Sequence, residues 1–127
     1  MTAIAAIRRP DGVYLLSDGA KYTADGVLRE IAPKVILLPQ CPGAIATRGS
    51  ELVARNLLAV QTGGLSTFEE LVDYMPIGLK VATDLAGPIA TLGMGKGRSE
   101  VVVCGWSSTR NAPEIWMVSN VDTKIRE

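Results

Sequence analysis

Residues 2–18 read TAIAAIRRPDGVYLLSD, and this stretch decides the fold. Thr2–Arg8 is an extended apolar run. Pro10-Asp11-Gly12 is a turn with a mechanism: proline presets φ at the first corner, and glycine accepts a positive φ that other residues resist. Val13–Ser17 is a second strand pattern, so the two segments are expected to form an antiparallel hairpin.

Working outward, Val27–Ile31 and Val35–Leu38 are further strand patterns flanking Pro33-Lys34. Pro39–Gly43 is a turn, and Ala44–Thr47 is a short buried strand. At Ser50 the apolar period changes. Leu52, Val53, Leu57 and Val60 fall at helical spacing, predicting a helix over Ser50–Gln61 that Gly63-Gly64 ends. Ser66-Thr67-Phe68-Glu69 fits a capping box and opens a second helix, Ser66–Leu85, which Pro76 is expected to kink or break near Met75. Gly87–Arg98 is glycine-rich and reads as a loop around a short strand. Glu100–Trp106 and Glu114–Ser119 are strands joined by Ser107–Pro113. Strands, then two helices, then strands suit an α+β fold of antiparallel sheets layered with helices better than alternating βαβ units.

The 127 residues suit a single domain, and a chain of that length buries roughly two-thirds of its unfolded surface. Apolar residues make up 47% and charged residues 20%, a globular composition. Thirteen basic residues balance thirteen acidic ones, which argues against nucleic acid or an acidic membrane as partner. No segment approaches the ~20 apolar residues of a membrane span, and Arg8-Arg9 follows the first apolar run where a secretory signal needs it to precede. A cytoplasmic location is the expectation, with Cys41 and Cys104 as reduced, buried thiols.

Histidine is absent, so neither a Ser-His-Asp unit nor a His-ligated zinc site can be built within these residues. Gly93-Met94-Gly95-Lys96-Gly97-Arg98 fails the phosphate-loop pattern, since no Ser or Thr follows Gly-Lys. Asp18, Asp25, Glu30, Glu69, Glu70 and Asp73 show no metal-ligand spacing.

A hydrolase without histidine must find its base in a carboxylate, a lysine or a terminal amine. Asp18 lies sixteen residues after Thr2, and Lys34 sixteen after Asp18. The hairpin brings Asp18 beside the start of the chain, and the strand beginning at Lys34 is expected to pair alongside. The α-amine of Thr2 has a reference pKa near ~8, within reach of base work at neutral pH. A lysine held against an aspartate stays charged and lowers neighbouring hydroxyl and amine pKa values through its field.

Thr2-Ala3-Ile4-Ala5, Leu16-Ser17-Asp18-Gly19-Ala20 and Pro33-Lys34-Val35-Ile36 stand in order at that spacing. Cys104-Gly105-Trp106 and Ala112–Val118 follow. Together they resemble proteasome β-subunits and their bacterial relatives, the self-compartmentalising threonine peptidases of the N-terminal-nucleophile hydrolase superfamily. The resemblance covers essentially the whole chain. It implies a layered fold of which residues 1–127 are the N-terminal portion, with the second sheet incomplete at its C-terminal side. It implies Thr2 as nucleophile once Met1 is removed, Asp18 as its orienting partner and Lys34 as the tuning charge. Family spacing places the oxyanion-binding backbone amide at Arg48, with Gly49 next to it, and sets Ala46 and Ser50 near a substrate pocket. No metal or organic cofactor is implied. The expected substrate is a peptide or an unfolded protein, and the expected form is a homo-oligomer, with an ATP-dependent unfoldase as possible partner.

Two alternatives accompany this reading. One is a catalytically inactive structural or assembly subunit of the same fold. The other is amide hydrolysis on a small molecule. Oligomerisation is expected on separate grounds as well, because Leu57, Leu58, Val60, Leu71, Val72 and Leu79 exceed what a single buried stripe needs.

Overall fold

A computed structural model describes residues 3–22, 25–32, 34–49, 53, 56–57, 64–86, 99–119 and 125–126. In chain order the strands are β1 (Ile4–Arg9), β2 (Gly12–Ser17), β3 (Ala20–Tyr22), β4 (Leu28–Ile31), β5 (Val35–Leu38) and β6 (Gly43–Arg48). Helix α1 (Phe68–Ala86) follows, and then β7 (Glu100–Ser107), β8 (Ala112–Ser119) and β9 (Ile125–Arg126). Every strand pair is antiparallel. The class is α+β, as the order of apolar patterns requires.

Residues 101–104, Val-Val-Val-Cys, explain the layering. Successive side chains on a strand point to opposite faces. Val101 and Val103 enter one core with Ile45, Val118, Phe68, Leu71, Met75 and Leu79, which is the face carrying α1. Val102 and Cys104 join Ile115 in a second core, against Ile4, Ala6, Val13 and Leu15 of the β1–β2 hairpin. A strand covered on both faces reads as a continuous apolar run, and this one does. The five-stranded sheet, ordered β5-β6-β7-β8-β9, therefore lies between α1 and the hairpin.

The β1–β2 hairpin forms as expected, and its register sets Ile4 opposite Ser17 and Arg9 opposite Gly12. Its placement corrects one expectation. The strand after Lys34 does not pair with the hairpin; β5 pairs with β6, Val35 opposite Ala46. The turn between β5 and β6 is short, so their loop-closure entropy is small, and β6 then builds on β7. The hairpin meets that sheet by face-to-face stacking, and β1 is accordingly not a central strand. Two short strands, β3 and β9, lie where the sequence pattern shows no strand.

Helix α1 corrects two more readings. It runs unbroken through Pro76. Proline removes one backbone donor, but buried Leu71, Val72 and Met75 before it and Leu79, Ala82 and Ala86 after it hold both halves to the same core. The cap stands one residue later than Ser66. Thr67 Oγ1 accepts the Glu70 amide at 3.1 Å, and the Ser66 and Thr67 hydroxyls donate to Glu70 Oε1. The box is Thr67-x-x-Glu70, which starts the helix at Phe68 and buries that ring to 1% exposure.

Glu69 is thereby free for other work. Its Oε1 accepts from Ser107 Oγ at 2.6 Å and from the Thr109 amide at 3.0 Å, fastening α1 to the β7–β8 turn. Asn111 closes that turn at φ 50°, a left-handed conformation asparagine tolerates better than most residues. Of the predicted first helix, Val53, Asn56 and Leu57 are described and helical, and Asn56 Nδ2 donates to the Ala82 carbonyl of α1. The rest of Ser50–Gln61 and the loop Gly87–Arg98 lie outside the described residues.

The apolar surplus also needs correction. Leu57, Leu71, Val72 and Leu79 are all buried, because α1 packs on the sheet and on the helical turn holding Val53 and Leu57. Leu58 and Val60 lie outside the described residues. The exposed large apolar residues are elsewhere, among them Ile7, Tyr14 and Leu16 on the outer hairpin face and Ile77, Val81 and Leu85 on α1.

Candidate active site

Asp18 is the first residue beyond β2, and hairpin register sets it opposite Ala3. The two are joined twice. The Asp18 amide donates to the Ala3 carbonyl at 3.1 Å, and the Ala3 amide donates to Asp18 Oδ2 at 3.2 Å. The Ser17 hydroxyl donates to the Asp18 carbonyl at 3.0 Å. The residue directly after Thr2 is thus held by both backbone and side chain of Asp18.

The other carboxylate oxygen is occupied from a different layer. Lys34 Nζ donates to Asp18 Oδ1 at 2.7 Å. The lysine side chain is 9% exposed and the aspartate 38%, so the ammonium is the covered member of the pair. An ammonium taken from water needs a counter-charge, and Asp18 supplies it. The hydrogen bond from Lys34, and after it the one from the Ala3 amide, holds the Asp18 carboxyl below the usual carboxylate range. Lys34 is thus linked through Asp18 to Ala3, the residue that follows Thr2 in the chain. Thr2 itself lies outside the described residues.

Beside the pair opens a groove of about 540 Å³, with Leu16, Ile31, Ala32 and Val35 among the residues lining it alongside Asp18 and Lys34. Its walls are largely apolar. Ile31, 78% exposed, and Leu16 were not legible as groove residues, since each reads as one more residue of a strand pattern.

Of the remaining predicted positions, Ala46, Arg48 and Gly49 lie at the same end of the sheet. Val35 opposite Ala46 puts Lys34 and the Arg48–Gly49 corner at one end of the β5–β6 pair. Ala46 is fully buried. The Arg48 guanidinium is engaged by Glu100, its register partner on β7, so the charge is committed along the sheet. Gly49 adopts φ 121°, open to glycine and strained for other residues. Ser50 lies outside the described residues.

The two cysteines are weak nucleophiles. Burial pushes the Cys104 thiol up to about 11 and raises that of Cys41, leaving little thiolate at neutral pH. Among the described residues no three metal-capable side chains cluster. No protein-family model matches the chain, and no curated protein matches it either.

Proposed function

We propose that this chain is a threonine-type peptidase subunit with the N-terminal-nucleophile hydrolase fold, acting through Thr2 after Met1 is removed. The observation that supports this most is the Lys34–Asp18–Ala3 array. A covered ammonium, a counter-ion that fixes it, and a clamp on residue 3 are what an N-terminal threonine nucleophile requires of its surroundings.

In the proposed reaction Thr2 Oγ1 attacks the carbonyl carbon of a peptide bond, and the α-amine of Thr2 takes the hydroxyl proton. The Lys34 charge favours the developing alkoxide, and Asp18 keeps that lysine charged and in place. A backbone amide at Arg48–Gly49 stabilises the oxyanion. Collapse expels the amine of the leaving peptide, which takes the proton from the α-ammonium. Water, deprotonated by the α-amine of Thr2, then attacks the acyl carbon of the threonyl ester; the bond to Oγ1 breaks, the acid product leaves, and Oγ1 recovers its proton from the α-ammonium.

The substrate on this reading is an extended peptide or unfolded protein lying in the groove beside Leu16 and Ile31. A homo-oligomer, an unfoldase partner and a cytoplasmic location belong to the same proposal. Exposed Ile7, Tyr14 and Leu16 favour assembly. No helix among the described residues is long and apolar enough to cross a membrane.

The test is the N-terminal residue and intact mass of the natively expressed protein, together with cleavage of fluorogenic peptide amides. Threonine at the N-terminus with cleavage supports the enzyme. A correctly processed protein that cleaves no peptide sinks the peptidase reading and favours the structural subunit.

A further inference from the structure

Strand β6 is held unevenly along its length. β5 accompanies it from Gly43 to Ala46, and among the described residues Thr47 and Arg48 have a ladder partner on β7 alone. Arg48 opposite Glu100 is the last rung, and the chain leaves it through Gly49 at φ 121°. The corner that carries the proposed oxyanion amide therefore hangs from one side of the sheet.

Glu100 is the fixed member of that rung. It stands between Arg48 on β6 and Ser119 on β8, and its side chain is 10% exposed against 50% for Arg48. A carboxylate so far out of water needs a counter-charge, and the Arg48 guanidinium provides it. Strand alternation puts Glu100 on the face of Val102 and Cys104, which is the face the hairpin covers. The Lys34–Asp18 pair ties down the open end of the hairpin at this same end of the sheet.

We infer that Glu100 is a positioning residue, which anchors Arg48 by charge and through it fixes the aim of the backbone amide at Arg48–Gly49. The inference rests on the reaction proposed for Thr2. An oxyanion donor works only when its N–H already points to where charge develops, and a displacement of about 1 Å costs up to roughly a hundredfold in rate. Charge and geometry give Glu100 opposite effects, which makes the role readable. A carboxylate near a developing oxyanion disfavours it, so on charge alone Glu100→Gln would raise kcat. A fall in kcat reports the lost anchor.

The test is steady-state cleavage of a fluorogenic peptide amide by the full chain, with nitrogen relaxation at Gly49 and thermal melts alongside. Glu100→Gln keeps the shape of the side chain and removes its charge. It is expected to lower kcat about tenfold with KM within about twofold of the parent. Inhibition by a peptide aldehyde, a mimic of the tetrahedral state, should weaken by a similar factor. The Gly49 order parameter should fall from about 0.85 to below about 0.6. Arg48→Lys keeps a cation opposite Glu100 and should retain kcat within about threefold. Ile115→Val, a buried change on the same face of the sheet, should lower the melting temperature and leave kcat at the parent value. Glu100→Gln with kcat at or above the parent's, or with the Gly49 order parameter unchanged, overturns the inference and leaves the reaction standing. A parent chain that cleaves no peptide sinks the reaction itself, and the positioning role with it.

Discussion

Lys34 Nζ and Asp18 Oδ1 are 2.7 Å apart although their neighbouring strands belong to different sheets. The ion pair is a bolt between layers. Its second oxygen is spent on the Ala3 amide, so one carboxylate ties the hairpin's open end to the sheet and fixes the residue after Thr2.

This division of labour separates two variants. Asp18→Ala removes both contacts, while Lys34→Met leaves the Ala3 amide its acceptor. Amide hydrogen exchange at Ala3 is expected to speed up about tenfold in Asp18→Ala and to change little in Lys34→Met. Equal acceleration in both would show that Ala3 is held through the lysine and not by the carboxylate directly.

Glu69 gives a pH signature. Its hydrogen bonds from Ser107 and then from the Thr109 amide lower its pKa from 4.5 to about 2. The folded value is depressed, so the carboxylate's contribution is fully present above about 4.5 and disappears as pH falls towards about 2. Glu69→Gln is expected to cost roughly 1 kcal/mol at neutral pH, modest because solvent reaches the carboxylate. Urea melts from pH 6 downwards should show parent and variant converging across that window. A constant gap at every pH would assign the effect to packing instead.

The crossing of β7 with α1 tolerates no added atoms. A Cβ at Gly105 would lie 2.4 Å from the Pro42 carbonyl oxygen and 2.5 Å from Phe68 Cδ1. The Pro42 carbonyl also accepts the Trp106 amide at 3.1 Å, so the backbone cannot simply withdraw. Gly105→Ala is expected to destabilise by about 1–3 kcal/mol through overpacking, and Phe68→Ala by about 3–5 kcal/mol through the cavity it leaves. If the ring is what blocks the added methyl, Phe68→Leu should relieve part of the Gly105→Ala penalty. Strict additivity in that double-mutant cycle would place the clash on the carbonyl alone.

What the sequence disclosed and what it concealed divide along the range of the forces involved. The hairpin at Pro10–Gly12, the strands from Val35 onward and the helix after Ser66 are local matters of turn chemistry and apolar period. Their existence and approximate limits were legible. Layer assignment was not, because the β1–β2 hairpin could satisfy its alternation equally well beside β5 or stacked upon β7 and β8. The decisive signal was the run Val101–Cys104, apolar on both faces, which demands a cover on each side. Pro76 misled for a related reason: its local cost is real, but contacts distant in sequence outweigh it. At the site, Asp18 and Lys34 were singled out together, but strand pairing was expected to join them and they meet instead across two sheets, and the groove beside them joins Leu16 to Ile31 through a fold that no local pattern encodes.

The chemical prediction rests on Thr2, which precedes the residue that Asp18 clamps. Thr2→Ala should reduce cleavage of peptide amides to background while leaving the melting temperature unchanged. It deletes the hydroxyl, and the two buried thiols are held too basic to replace it. Lys34→Ala should lower kcat by about a hundredfold or more, since Asp18 would then present an uncompensated negative charge beside a developing alkoxide. Lys34→Arg should fail nearly as badly. The position is 9% exposed and bonded at 2.7 Å, and a planar guanidinium does not fit where a compact ammonium does. A bulky residue placed between Met1 and Thr2 should block methionine removal, deny the threonine its free amine and silence the protein as fully as Thr2→Ala. Cleavage assays with mass spectrometry of the N-terminus decide the matter. Full activity in Thr2→Ala, or activity with Met1 still attached, overturns the mechanism at its first step, because the base and the nucleophile are then not on residue 2.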